Sequence, residues 1–213
     1  MKSMRIVHVL HAFGFGGLEK GIATVIRHGS REFEHIILCL ANTGESESLL
    51  PEGTRVVELH KKKGNSPLFF LNLARQLRAL HPDVIHTRNW GGMDGIIAAN
   101  LAGLRRTVVQ GEHGWGMEDA CGTRKKRVWL RRFLSLGVRE FTCVSKQMQE
   151  WLQSEVKVFS SVTQIYNGID TAHFAPQGRR AALRQELGLN DSTKLIGCIG
   201  RLDPIKDHDG LIQ

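Results

Sequence analysis

Arg5-Ile6-Val7-His8-Val9-Leu10-His11-Ala12-Phe13-Gly14-Phe15-Gly16-Gly17-Leu18-Glu19 is the stretch whose reading decides the fold. An apolar run of strand length ends in a glycine-rich loop. Leu18, Ile22, Val25 and Ile26 then recur at i, i+4, i+7 and i+8, the period of a helix with one apolar face. A strand, a glycine loop and a helix in that order open a parallel βα unit, where free backbone amides and the positive end of the helix face a ligand. The dinucleotide fingerprint is not met, because Glu19 stands where its third glycine belongs and the next strand runs Leu38-Cys39-Leu40-Ala41-Asn42 with no acid for a ribose. A nicotinamide or flavin enzyme is disfavoured, and the glycines could also serve only a tight turn.

The same alternation continues outward. Runs of strand length at 5–11, 35–40, 55–59, 84–87, 107–112, 140–144 and 163–166 are separated by stretches of helical period, the pattern of a parallel sheet covered on both faces. Gly29 is expected to stop the first helix in a left-handed cap, and Leu68, Leu71, Leu77 and Leu80 to line the second, which Pro82 ends. Asp94 is expected to cap a third helix that stops at Gly103, a basic fourth spans 123–136, and Ser145 caps a fifth. Asn167-Gly168-Ile169-Asp170 and Pro176 mark a boundary, giving an expected first domain over 1–176. Beyond it, a short helix at 179–187, a buried strand at 194–199 and the loop from Gly200 read as the truncated beginning of a second Rossmann-like domain over 177–213. The fold class is therefore α/β, a Rossmann-like parallel sheet with helices on both faces.

Composition narrows the function. The 213 residues, 41% hydrophobic and 23% charged, suit a globular chain. The opening apolar run is too short and too histidine-rich for a signal peptide, and no membrane span occurs. Cys39, Cys121, Cys143 and Cys198 lie far apart, three of them in apolar runs, so a reducing, cytoplasmic location is expected. The net charge of +8 concentrates at 105–139, where nine Arg or Lys face Glu112, Glu118 and Asp119. No helix-turn-helix and no aromatics interleaved on strands point to nucleic acid. The basic helix carries Lys125, Lys126, Arg131 and Arg132 around Trp129 and Phe133, a pattern that suits an anionic membrane surface. Such a surface would make the protein peripheral on the inner face of the cytoplasmic membrane; the plainer alternative is a solvated charged face.

Two further strands end in polar clusters, His86-Thr87-Arg88-Asn89-Trp90 and Glu112-His113-Gly114-Trp115, at the edge where parallel sheets bind ligands. His86, Arg88, Asn89, His113 and Trp115 are the candidates there. No metal-ligand spacing, serine elbow or phosphate loop is present.

Taken in order, Gly16-Gly17-Leu18-Glu19, Asp83-Val84-Ile85-His86-Thr87, Glu112-His113-Gly114, Val144-Ser145-Lys146, Tyr166-Asn167-Gly168-Ile169-Asp170 with Phe174 and Pro176, and Gly200-Arg201-Leu202-Asp203-Pro204-Ile205-Lys206-Asp207 resemble the retaining glycosyltransferases of family 4, which have the GT-B fold. The resemblance implies transfer of a sugar from a nucleotide-sugar donor to a glycan or polyprenyl-linked acceptor, by attack on the face from which the leaving group departs and without a metal or other cofactor. It makes His113 the active-site histidine, assigns Gly16, Gly17, Arg201 and Lys206 to the donor, and puts His86, Arg88, Asn89 and Trp115 on the acceptor side. It resembles exopolysaccharide-type transferases in particular. The family's paired glutamates are expected beyond Gln213, so this stretch alone should lack most of the donor site and show negligible transfer. A non-catalytic sugar- or nucleotide-binding module is the alternative.

Overall fold

A computed structural model describes residues 3–14, 16–115, 119, 122–172, 174–175, 178–200, 202 and 206–213. The chain divides into two compact units, 1–167 and 168–213. The first is built on seven strands, β1 (Met4–Leu10), β2 (Phe33–Cys39), β3 (Arg55–Glu58), β4 (Val84–Arg88), β5 (Val108–Glu112), β6 (Glu140–Cys143) and β7 (Ser161–Gln164). They form one sheet in the order β3-β2-β1-β4-β5-β6-β7, with every neighbouring pair parallel. This is the Rossmann-like α/β arrangement expected from the alternation of strand-length and helical runs. The last strand lies two residues earlier than its apolar run suggested, leaving Ile165 and Tyr166 exposed.

Strand alternation distributes the core between two faces. Ile37, Cys39 and Leu10 pack with Phe13 and Ile22, beneath α1 (Gly17–His28). Val7, Val9, Ile36, Leu38, Ile85 and Phe141 face the other way. They meet Leu73 and Leu77 of α2 (Pro67–Ala79), Ile96 of α3 (Asp94–Leu101), Leu134 of α4 (Lys125–Leu134), and Met148 of α5 (Lys146–Glu150) with Leu152 of the wider π turn Trp151–Val156 that prolongs it. Ser145 caps α5 as expected, its Oγ accepting from the Met148 amide at 3.2 Å.

Four local expectations are corrected. Gly29 is extended (φ −69°, ψ 165°), not left-handed; glycine is needed there because a Cβ would lie 2.6 Å from the Val25 carbonyl oxygen. On α2 the buried stripe is Leu73, Leu77 and Leu80, whereas Leu68 and Leu71 are exposed. Leu68 and Leu77 are about two and a half turns apart, so they point in opposite directions and cannot share a stripe. Asp94 does not cap α3: its carboxylate is tied to the Lys61 ammonium, and Met93 occupies the cap position. Arg131 is not on the surface of α4 but buried, its Nε donating to Glu112 Oε1 at 2.9 Å.

The unit 168–213 holds α6 (Arg180–Glu186), closed by Gly188 at φ 63°, and α7 (His208–Ile212), capped by Asp207 through the Gly210 amide. Residues 194–199 do not form the expected buried strand. Leu195, Ile196 and Ile199 are exposed, and Cys198 with them. A strand needs a neighbour for its amides and carbonyls, and none of the described residues of this unit lies in a strand. Cys39 and Cys143, by contrast, are free thiols in the core of the sheet.

Candidate functional site

The sheet order places its switch point between β1 and β4, where successive connections leave in opposite directions and open a crevice at the carboxyl ends of the strands. The loops after these two strands are in close contact, since a Cβ on Gly91 would lie 2.7 Å from the Cβ of His11. The glycine loop, Arg88 and His113 therefore gather at one edge.

Parallel registry sets the central group. His8 on β1 is level with His86 on β4, and Arg88 is level with Gly111 on β5. Residues two apart share a face, so His86 and Arg88 point the same way. Arg88 is 7% exposed. Its Nη1 donates to His113 Nε2 at 2.9 Å, and its Nη2 donates to His86 Nδ1 at 3.2 Å and faces His8 Nδ1 at 3.5 Å. The His8 ring stacks on His35, with 3.0 Å between Nε2 and Nδ1. A guanidinium can only donate, so each nitrogen it meets must carry a lone pair. His113 therefore holds its proton on Nδ1, and His86 and His8 hold theirs on Nε2. His8 passes its hydrogen bond to His35 Nδ1, which leaves the His35 proton on Nε2.

Burial and then the Arg88 charge hold His8 and His86 well below the usual imidazole range, and the same two causes lower His35 and take His113 down to about 4. The Arg88 guanidinium is lowered by burial only to about 10, and so stays charged at neutral pH. One cation thus sits among four neutral rings. Among the described residues no carboxylate forms an ion pair with it. Nor is any group of three His, Cys, Asp or Glu side chains among them placed to hold a metal ion.

Asn89 braces this edge rather than presenting its amide outward. At φ 51° and ψ −171° it is in a region that non-glycine residues rarely adopt. Its Oδ1 accepts from the His113 amide at 2.6 Å, its own amide donates to Gly111 O at 2.8 Å, and its carbonyl accepts from Gln110 Nε2 at 3.2 Å. On the opposite face, Glu112 accepts from Arg131, whose guanidinium lies 5.0 Å from the ring centroids of both Trp90 and Trp151. Trp115 sits edge-on to Trp151 at 5.8 Å and packs against the larger core, away from the Arg88 group.

The glycine loop differs from its expected form in one respect. A Cβ at Gly16 would lie 2.7 Å from Glu19 Oε2, so an acidic side chain already faces the positive end of α1, while Gly17 has open space around it. Lys206 is exposed in the second unit with its stem beside Gly200, and Arg201 lies outside the described residues. Sequence reasoning missed His8, His35 and the Glu112–Arg131 pair. The signal for the first two was their position on strands, which becomes a site only once β1 is known to pair with both β2 and β4.

The histidine pKa values have a consequence for stability. All four lie below the ordinary 6.5, so the unfolded chain takes up protons before the folded one does. Their contribution is fully present above about pH 6.5. It falls as the pH drops towards about 4, by up to about 1.4 kcal/mol per pH unit for each ring still neutral when folded. Urea unfolding is expected to show a clearly lower midpoint at about pH 5 than at about pH 7; equal midpoints would contradict the neutral cluster.

The family model described as Glycosyltransferase Family 4 matches residues 15–173. No curated protein matches the chain. Among solved structures, a glycosyltransferase from Rickettsia africae ESF-5 has a TM-score of 0.61 at 14% identity, covering 91% of this chain and 52% of its own. Anabaena HepE, in complex with UDP and glucose, has a TM-score of 0.59 at 14% identity, covering 87% and 50%. The S. aureus MnaA–UDP structure has a TM-score of 0.51 at 15% identity, covering 88% and 50%. These identities speak for the fold alone, and the chain spans about half the length of those structures. With the sheet order and a family match over most of its length, the chain belongs to Glycosyltransferase Family 4.

Proposed function

We propose that the protein transfers a sugar from a nucleotide-sugar donor to a glycan or polyprenyl-linked acceptor with retention of configuration, and needs no metal. The observation that carries this reading is His113, which Arg88 and Asn89 hold as a neutral imidazole with its proton on Nδ1 at the carboxyl edge of the sheet. Such a ring can donate a hydrogen bond to the donor sugar without adding a positive charge beside the reacting carbon. UDP in the HepE and MnaA structures supports a nucleotide donor. In this reading residues 1–176 form the acceptor-side domain and 177–213 begin the donor-side one. Arg201 and Lys206 neutralise the diphosphate as the glycosidic bond breaks and its electron pair moves to the departing oxygen. The acceptor oxygen bonds to the anomeric carbon and its proton passes to the leaving phosphate. Gly17, with open space around it, admits the donor.

A contact with anionic membrane belongs to the same reading. Trp129, Phe133 and Leu136 recur at i, i+4 and i+7 on the exposed side of α4 and the turn after it, at 72%, 60% and 59% exposure. Lys125, Lys126 and Arg132 flank them, and Arg132 also lies over the Phe159 ring. Apolar side chains framed by cations suit an interface carrying negative headgroups. Arg131, turned into the core, takes no part. Among the described residues no helix is long and apolar enough to cross a membrane.

Two experiments test these points. With a longer protein that carries this chain and the whole donor-side domain screened against nucleotide sugars, His113→Ala is expected to lower kcat by about 100- to 1,000-fold while still folding, with a melting temperature lowered by the loss of an acceptor for the buried Arg88 guanidinium. Unimpaired turnover in that variant would overturn the assignment of His113, and donor binding with no transfer to any acceptor would leave a binding module in place of an enzyme. In co-sedimentation, vesicles rich in phosphatidylglycerol should bind the protein and phosphatidylcholine vesicles should not. Lys126→Glu with Arg132→Glu should abolish the difference; a protein that ignores anionic vesicles refutes the membrane contact.

A further inference from the structure

The Arg88 group is an expensive arrangement if it serves only to hold the sheet edge together. A buried cation is tolerated when a carboxylate pairs with it, and here the acceptors are neutral imidazoles, His113, His86 and the more distant His8. Three acceptors do not exhaust five N–H groups, and Arg88 Nε has no partner among the described residues. His86 Nε2, which carries a proton, is likewise buried without one. Gly111 lets both rings come close to the β5 backbone, since a Cβ there would lie 2.8 Å from His86 Nε2 and 3.1 Å from His113 Nε2. Among the described residues, unspent donors, one uncompensated positive charge and the strained Asn89 backbone coincide at the carboxyl edge of β4 and β5.

We infer that Arg88, with His86, forms an oxyanion subsite beside His113 that takes the phosphate or carboxylate of the acceptor. The inference rests on the transferase reading for the word acceptor, and on the geometry for the anion. A nucleotide sugar also carries phosphate, so the shared chemistry is a phosphate oxygen next to a guanidinium. The acceptor is the source favoured here, because the family resemblance assigns the donor diphosphate to Arg201 and Lys206. An anion on Arg88 would complete the charge pairing that the described residues leave open. It would also place a phosphorylated acceptor next to the imidazole assigned to the donor sugar. Neutral glycans would gain nothing from this subsite, so acceptors bearing an acidic group should be preferred.

The test is equilibrium binding by calorimetry, which does not depend on turnover. Geranyl phosphate is the acceptor-type probe, geraniol its neutral control and UDP the donor-type probe, each measured on the parent protein and on Arg88→Gln and Arg88→Lys. Geranyl phosphate is expected to bind the parent and to lose roughly 10- to 100-fold in Arg88→Gln, the scale of one or two hydrogen bonds to a charged group. Partial recovery is expected in Arg88→Lys, with UDP affinity unchanged. Should Arg88→Gln not fold, side-chain nitrogen NMR on the parent answers the same question: the Arg88 and His86 signals must shift on adding geranyl phosphate and not on adding geraniol. Loss of UDP affinity with geranyl phosphate unaffected would assign the anion to the donor and overturn the inference. Geranyl phosphate binding that ignores Arg88 would overturn it as well. Failure to find sugar transfer, with these binding results intact, would count against the transferase reading and leave the anion subsite standing.

Discussion

The charge on Arg88, buried and without a carboxylate among the described residues, is the constraint from which the rest of the site follows. Because a guanidinium only donates, it dictates where His113, His86 and His8 keep their protons. Because it stays positive at neutral pH, it adds to burial in preventing those rings from charging. A histidine left to itself near pH 6.5 would populate two protonation states and two neutral tautomers. Here one is selected, and the ring that reaches the edge of the sheet is a fixed, neutral hydrogen-bond donor.

That selection needs a rigid support, and the opposite face of β5 supplies it. Glu112 and His113 are adjacent in sequence and their side chains serve opposite sides of the sheet. Glu112 is held by Arg131 and Gln110, while the His113 backbone is held by Asn89. Breaking a buried ion pair costs about 3–5 kcal/mol because it leaves a buried charge uncompensated, so the end of β5 has little freedom to move. Arg131 belongs to α4, whose outer side carries Trp129 and Phe133. The helix proposed to meet a membrane is thus pinned through its inner side to the residue next to the proposed catalytic histidine.

Much of the fold could be read from the chain because its strands are buried on both faces and stand out as apolar runs between helical periods. Val7 to Leu10 and Ile36 to Cys39 are almost wholly buried, and so were easily recognised. Errors arose where a local pattern had a tertiary alternative. Leucines at 68, 71, 77 and 80 look like a stripe only when the helical phase is ignored. Leu195 to Ile199 look like a strand, yet pairing requires a neighbour. Asp94 was a reasonable cap until Lys61, far away in sequence, took its carboxylate. Arg131 resembled its exposed neighbours because composition does not show which side of α4 faces Glu112. In the site, position after a strand was enough to single out His86, Arg88 and His113. Their assembly around one charge, together with His8 and His35, was not legible, since it depends on β1 lying between β2 and β4, and strand order is not written in any local segment. Trp115 shares the chain neighbourhood of His113 but packs with Trp151 instead.

The account stands most directly on the protonation of these rings, which nitrogen-15 NMR of the histidine side chains reads without any ligand. At about pH 7 the account predicts His8, His35, His86 and His113 all neutral, with the proton of His113 on Nδ1 and those of His8, His35 and His86 on Nε2. An imidazolium at any of the four, or a His113 ring protonated on Nε2, would contradict the claim that Arg88 organises the site.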